Sequence, residues 1–548
     1  MRFGRAFVLC LALLGFHRPA AAEPQNMVAA ANPMAVQAGL DVLERGGTAM
    51  DAAVAIQMML GVVEPQASGI GGGGFLVYYD AASGQTSTYD GRETAPAKAR
   101  PDMFLGPDGK DLDFRLAVAS GMSVGVPGAV AMLELAHKER GKLAWADLFR
   151  PAIAAARDGF PAPPRLARAL GIFGRSIAAD PSAQKIYFNA DLSPKRGGER
   201  IVNEALAQTL EHLAERGAAG LMQGPVADLI VAKVRLHERP SELELSDFAA
   251  YRPIKRDPLC GPYRVWTVCG MGPPSSGGVA ILQMLALLEP FELYRETPNS
   301  PRAAHLIAEA GKLAYADRAR YLGDPAFVDV PVKGLLSAAY LNERRKLISE
   351  TKAMEPTPVP PGYPERGTSH ISVVDRFGNA VSFTTTIEAP FGAQMMAHGF
   401  FLNNELTDFT AQPEIDGKAV ANRVQGGKRP RSSMSPTLVF DRDRRLVAVV
   451  GSAGGARIIG DTFQALIGML DWNLSAQAAL DLPRIANLNG PTELEDRGEV
   501  ASLAERLRGL GHQVQVRRHE GGLTAIRRSG DGWQGGADPR RDGVARGD

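Results

Sequence analysis

The sequence has few cysteines, no long apolar run beyond its first residues, and no surplus of either charge. Three cysteines and nine histidines are spread over 548 residues with no spacing that resembles a metal site. Basic and acidic residues number 61 and 60, a formal net charge of +1. That balance gives no sign of a nucleic-acid or membrane-surface partner. No G-x-S-x-G elbow occurs. What is present is ordinary for a globular protein: 45% hydrophobic and 22% charged residues, ample for a large core. The length allows about three or four domains. Small molecules are the default partners.

The first residues read as an export signal. Arg2 and Arg5 give a basic start, Ala6 to Phe16 an apolar run, and Ala20-Ala21-Ala22 a small-residue cleavage site. The run is shorter than the roughly 20 residues a membrane helix needs. Removal after Ala22 and a periplasmic or secreted location are expected. Cys10 leaves with that segment. Cys260 and Cys269 remain, flanking the strand-like run Tyr263 to Val268. A disulfide and two buried thiols are both open, since spacing fixes no geometry.

Helix signals dominate the first two thirds. Asn32-Pro33 reads as a cap with proline at the first helical position, and Gly46-Gly47 as a stop. Asp51 is expected to cap a run from Ala52 to Val63. Further helices are expected over Ala129 to Arg140, Trp145 to Asp158, Glu204 to Arg216 and Ala303 to Tyr321. A proline-rich stretch, Glu355 to Pro364, reads as an extended linker. Strand-like runs follow it: Ile371 to Val374, Ala380 to Ile387, Leu438 to Phe440 and Leu446 to Val450. The pattern is helices first, strands after, with the boundary just before Thr368.

Gly69-Ile70-Gly71-Gly72-Gly73-Gly74 satisfies G-x-G-x-x-G, but in the wrong context. A dinucleotide fingerprint needs a strand before and a helix after. Here a helix-like run precedes and the strand-like Phe75 to Tyr79 follows. The glycines read instead as a turn where two backbones approach closely.

The segment from Thr368 to Ile387 reads as a hairpin. A three-residue loop, Arg376-Phe377-Gly378, puts glycine at the left-handed position. Asp375 then faces Asn379, Val374 faces Ala380, and Thr368 falls opposite Thr386. Facing residues of this kind lie about 4.5–5.5 Å apart at Cβ, close enough for two hydroxyls to bond. A loop one residue longer would break the pairing.

Thr368-Ser369-His370-Ile371-Ser372-Val373-Val374-Asp375 resembles the start of the small subunit of γ-glutamyltransferases, N-terminal nucleophile hydrolases made as one self-cleaving chain. Other stretches agree in order: Gly71 to Phe75, Arg92-Glu93-Thr94-Ala95-Pro96, Pro273 to Gly278, Tyr321 to Pro325, Asn403 to Phe409, Lys428-Arg429-Pro430, Ser432 to Pro436, Gly451 to Gly455 and Asp538-Pro539-Arg540. The resemblance covers nearly all of the chain after Ala22.

It implies an α+β fold: a four-layer αββα sandwich of the N-terminal nucleophile hydrolase type, built from both subunits. Cleavage between Gly367 and Thr368 would divide residues 1–22 (signal), 23–367 (large subunit) and 368–548 (small subunit). An internal threonine has no base, but a terminal one has its own α-amine, with a reference pKa of about 7.7–8.0. Thr368 would be the nucleophile, oriented by Thr386. Gly454 and Gly455 would donate two N–H groups to the oxyanion, each worth about 3–4 kcal/mol. The family usually has proline before that pair; here Ala453 stands there.

For the substrate, Arg92 suits a carboxylate, Ser432 and Ser433 add hydroxyls, and Asp408 would take the ammonium with Glu405 and Glu388 beside it. No cofactor and no metal are implied. The expected donors are glutathione and other γ-glutamyl amides, with water, an amino acid or a peptide as acceptor. An alternative on the same scaffold is a glutaryl- or cephalosporin-type β-lactam acylase, which would not need Asp408. A pocket-bearing periplasmic binding protein is the non-enzymatic alternative; Thr368, Thr386 and the glycine pair count against it. The segment Gln412 to Gly427 corresponds to the family's lid loop and has no aromatic residue to close it.

Overall fold

A computed structural model describes residues 24–357 and 367–548; residues 1–23, with the expected signal, and residues 358–366 of the linker lie outside the described residues. Two antiparallel sheets form the centre. The first has seven strands in the order Val544–Gly547, Met27–Ala30, Ser369–Val374, Ala380–Thr386, Gly73–Asp80, Gln85–Asp90, Ile254–Arg256. The second has six: Gly532–Ala537, Thr524–Ser529, Leu446–Gly451, Thr437–Phe440, Trp266–Gly270, Leu259–Tyr263. Side chains alternate between the faces of each strand. Ile371 and Val373 therefore join the core under helices Pro33–Glu44 and Ala49–Val63. Val374 meets Val77, Leu438, Val449 and Ile526 in the core between the sheets. A third core lies under helices Gly277–Leu288, Pro301–Tyr321 and Ile458–Leu470. The layers are helix, sheet, sheet, helix, as the resemblance implied.

The division into helices and then strands does not hold. Strands from before the linker sit in both sheets, and the pair Ser369–Val374 and Ala380–Thr386 is inserted between Met27–Ala30 and Gly73–Asp80. Short paired strands such as Met27–Ala30 are buried throughout and carry no alternation to reveal them. Two local expectations also change. Thr48, not Asp51, caps the second helix; Asp51 is the third residue of a capping box that includes Thr48. Tyr263 to Val268 is not one strand but the tip of a hairpin, turning at Arg264 with φ +53°. That hairpin sets Cys260 opposite Cys269, and the two form a disulfide. The helices over Ala129–Arg140 and Glu204–Arg216 have the expected bounds, and Asn32 caps the first helix. The run from Trp145 to Asp158 divides into a short 3-10 turn and the helix Arg150–Asp158.

The central hairpin has the expected register. Val374 faces Ala380 and Ser369 faces Thr385. Gly378 takes φ +85°, and the Asp375 carboxylate accepts from the N–H groups of Phe377 and Asn379, each at 2.9 Å. The same carboxylate accepts from Ala49 N–H at 2.8 Å, tying the turn to the second helix. The glycine run is a close approach, as read from context: a Cβ on Gly72 would lie 1.9 Å from Thr386 O, and one on Gly74 2.6 Å from Thr384 O.

Asp375→Ala strips a buried acceptor from three backbone donors. It should lower stability by about 2–4 kcal/mol, whereas Asp375→Asn, which keeps one acceptor, should cost less. Denaturant unfolding in a Thr368→Ala background, expected to keep the chain whole, measures both; equal losses would remove the acceptor role.

Candidate active site

Thr368 precedes the first residue of its strand and shares a face with His370 and Ser372, the face turned to the second sheet. Its hydroxyl donates to Thr386 Oγ1 at 3.1 Å. Thr386 Oγ1 also accepts from Glu388 N–H at 2.8 Å, which fixes the direction of its lone pairs. Thr368 N–H donates to Ala67 O at 3.1 Å, and Thr368 O accepts from Arg541 Nη1 at 2.7 Å. The nucleophile candidate is thus held at its side chain, its nitrogen and its carbonyl.

The backbone here is strained. Gly367 has φ +95° and Thr368 φ +90°. Glycine tolerates that value; a β-branched residue does so at a cost of about 1–3 kcal/mol. A Cβ on Gly367 would stand 1.9 Å from Glu388 O.

Nine of the residues singled out from the sequence line one cavity: Arg92, Thr368, Thr386, Glu388, Glu405, Asp408, Ser432, Ser433 and Gly455. Its open volume is about 10 Å³, room for about one water. None of residues 412–427 lines it. Gly454 and Gly367 line an adjoining recess instead. Gly454 has φ +135°, and Gly455 opens the 3-10 turn that leads into helix Ile458–Leu470. Neither N–H of the pair finds an acceptor among the described residues. Both stand at a helix N-terminus, where the peptide dipoles favour negative charge.

Arg92 is fully buried, and its two terminal nitrogens pair with Glu405 and Asp408. Its Nε donates to Pro430 O at 3.1 Å, and Nη2 to Arg431 O at 3.0 Å. The fork expected to face a substrate carboxylate is therefore engaged by the chain's own acids. Asn404 Nδ2 holds the Glu388 carboxylate.

Four contributors escaped sequence reasoning. Arg318 donates to Ser433 Oγ at 2.7 Å and to Ser276 Oγ at 2.9 Å, placing a buried cation behind the serine pair. It lies on an otherwise apolar helix face three residues before a quoted motif, and its only signal was a charge out of phase. Arg541 directly follows Asp538-Pro539-Arg540, with nothing local to mark it. Met434 sits inside a quoted motif as a wall of the cavity. Glu93 is buried beside Arg92 at 4.0 Å, and neither carboxylate oxygen has a hydrogen-bond partner among the described residues. Burial, opposed by Arg92, pushes its pKa up to about 8.

The fold also gathers His305, Glu309 and His512, which the sequence left scattered. His305 Nδ1 and His512 Nε2 bond to each other at 2.7 Å, and Lys312 Nζ lies 2.8 Å from Glu309. An ammonium stands where a metal cation would, so this is a polar network of the core. Met354 N–H donates to Glu309 at 2.8 Å, which anchors the chain just before the linker.

Two antiparallel sheets packed face to face between helices, with a threonine entering a central strand, define the N-terminal nucleophile hydrolase class. The chain belongs to the family described as Gamma-glutamyltranspeptidase, which matches residues 35–547. It is 38% identical to a glutathione hydrolase proenzyme of Bacillus subtilis (strain 168), over 95% of this chain and 91% of that protein. It is 36% identical to the acylase ACY 1 proenzyme of Pseudomonas sp. (strain V22), over 94% of this chain and 91% of that protein. A cephalosporin acylase structure from Bacillus halodurans superposes with a TM-score of 0.85 at 28% identity, over 98% of this chain and 99% of the other. The protein is an enzyme of this class.

In the folded chain Glu93 keeps its proton to a higher pH than in the unfolded chain. Its contribution to stability is whole below about pH 4.5 and is lost as pH rises to about 8. Glu93→Gln should flatten that part of the profile. Thermal midpoints across the window, in the Thr368→Ala background, test this; parallel slopes would place Glu93 outside the titration.

Proposed function

We propose that the chain cleaves itself between Gly367 and Thr368. The resulting heterodimer, residues 23–367 with 368–548, then hydrolyses and transfers γ-glutamyl groups from glutathione and other γ-glutamyl amides. The observation that carries this is the Thr368–Thr386 hydroxyl bond at 3.1 Å, in one cavity with the Arg92–Asp408 pair. Relatives named glutathione hydrolase proenzyme support the substrate class.

In cleavage Thr368 Oγ attacks the Gly367 carbonyl carbon. The C–N bond breaks, the Thr368 nitrogen takes the proton, and water releases the ester as the Gly367 carboxylate. The backbone angles at both residues favour this step, since a free α-amine has no φ to strain. The same amine then serves as base, held near Ala67 O. Thr368 Oγ gives its proton to the α-amine and attacks the γ-carbonyl, and the Gly454 and Gly455 N–H groups receive the oxyanion; as it collapses the donor's C–N bond breaks and its amine leaves with that proton. Hydrolysis or attack by an acceptor amine completes turnover.

A γ-glutamyl group has both ends that the clamp addresses. Its ammonium goes to Asp408, with Glu405 and Glu388 beside it. Its carboxylate goes to Arg92, Ser432 and Ser433, the last backed by Arg318. The cavity of about 10 Å³ admits it only when the Arg92–Asp408 pair opens. That exchange is near neutral in charge: each partner gains a substrate ion for the one it releases. A periplasmic or secreted location is supported by the basic and apolar first residues and by the Cys260–Cys269 disulfide.

A denaturing gel and fragment masses test the cleavage. The chain should yield two pieces meeting at Gly367–Thr368, and Thr368→Ala should remain whole. Gly367→Ala should slow processing about tenfold or more, since its Cβ has no room and its φ is left-handed. A single inert band from the unaltered chain would overturn the proposal.

Paired anilides test the clamp. A γ-glutamyl anilide should turn over faster than a glutaryl anilide; the reverse order would favour the β-lactam acylase alternative. Asp408→Asn should lower kcat/KM for the γ-glutamyl anilide by about a hundredfold, the scale of a buried charge partner lost. The glutaryl rate should move far less, and an unchanged ratio would remove Asp408 from ammonium recognition.

A further inference from the structure

The peptide between Gly454 and Gly455 divides two spaces. Gly455 lines the clamp cavity, and Gly454 lines a recess of about 360 Å³ that Gly367 also borders. For an acyl carbon on Thr368, with its oxygen on these two N–H groups and its chain in the clamp, the space bordered by Gly454 and Gly367 would receive the amine. That space is the recess.

The recess is built of arginine. Seven line it, against the acids Glu520 and Asp542. Four are neutralised: Arg457 and Arg517 on Glu493, Arg540 on Glu495 and Asp538, and Arg165 on Glu64. Asp542 is engaged by Arg165 N–H at 2.8 Å. Arg168, Arg518 and Arg541 have no carboxylate oxygen within 4.0 Å among the described residues. Arg541 gives its terminal nitrogens to Thr368 O and to Glu520 O, and its Nε is buried with no partner. Burial, with Arg165 near, lowers its pKa to about 9, so an anion alongside would stabilise it. Arg168 and Arg518 are exposed at the rim. Ile172 and Phe173, on the same helix as Arg168, add an apolar wall. The volume suits an amino acid or a dipeptide.

We propose that this recess is an acceptor and leaving-group site selective for amines that carry extra carboxylates, acidic amino acids and acidic peptides. The proposal rests on the γ-glutamyl reading above and names the partner of that site. In transfer the neutral amine attacks the ester carbonyl and a C–N bond forms. The C–O bond to Thr368 breaks, and a proton of the amine ends on Thr368 Oγ. Arg168 and Arg518 hold the acceptor's carboxylates meanwhile, with the buried charge of Arg541 behind them.

Glycylaspartate and glycylasparagine form the test pair: equal in shape, different in charge, and neither a γ-glutamyl donor. With γ-glutamyl anilide as donor, glycylaspartate should be the better acceptor by about tenfold in kcat/KM, and rising salt should narrow the gap. The double variant Arg168→Gln, Arg518→Gln should bring the ratio towards one. The ratio is internally controlled, so a general loss of activity does not mimic this. Calorimetric titration of the processed protein with the two dipeptides should give the same preference without turnover. A ratio near one in the unaltered enzyme, or one the double variant leaves unmoved, would overturn the proposal. Hydrolysis of the anilide, whose leaving group is neutral, reports on the γ-glutamyl reading by itself.

Discussion

The register of one hairpin governs the active site. Val374 faces Ala380 because Arg376-Phe377-Gly378 closes in three residues, with Gly378 left-handed and Asp375 gathering the turn's N–H groups. A slip of one residue would turn every side chain of the strand to the other face. Ile371 and Val373 would leave the helix-facing core, and Thr368 would lose Thr386. The hydrophobic cores on both faces therefore enforce a hydroxyl pair that is worth little in itself. The Asp375 carboxylate extends the same control to the second helix through Ala49.

Charge is arranged in opposition across the nucleophile. On one side Arg92 is paired with both Glu405 and Asp408, an excess of acid that suits an ammonium. On the other side arginines outnumber the acids that neutralise them. Low dielectric strengthens both fields, and the helix N-terminus at Gly454–Gly455 lies between them. A donor with an amino acid at one end and carboxylates at the other would be aligned by the gradient before any bond to Thr368 forms. The buried ions are costly singly, so each pair specifies geometry more than it adds stability.

Much of the site was legible because its logic is local or motif-bound. The hairpin follows from a turn and two strands; the glycine run from Gly71 to Gly74 follows from the missing strand before it. Nine of the named residues meet in one cavity even though they come from five separated stretches. What stayed hidden depends on contacts distant in sequence. Arg318 reaches Ser433 across 115 residues, and Arg541 reaches Thr368 across 173. Neither carries a local mark. Pairing, not periodicity, decides the short strands before the linker, and the Cys260–Cys269 bond needed a turn that the residues between them disguise as a strand. The Arg92 fork was read as open because a sequence cannot say which of several nearby acids will close on it.

If the chain is cut where we propose, strain at the Gly367–Thr368 bond lets one event serve two ends. Thr368 holds φ +90° only because Ala67, Thr386 and Arg541 fix its nitrogen, hydroxyl and carbonyl at once. Cutting the bond before it removes the dihedral that carries the strain, yet leaves all three anchors in place. The proposed cleavage would create the α-amine where the amide nitrogen stood, within reach of the hydroxyl it would deprotonate. A precursor relaxed at this residue would need a rearrangement after cleavage. Here the constraint that makes the uncut backbone costly is the one that makes the cut site ready.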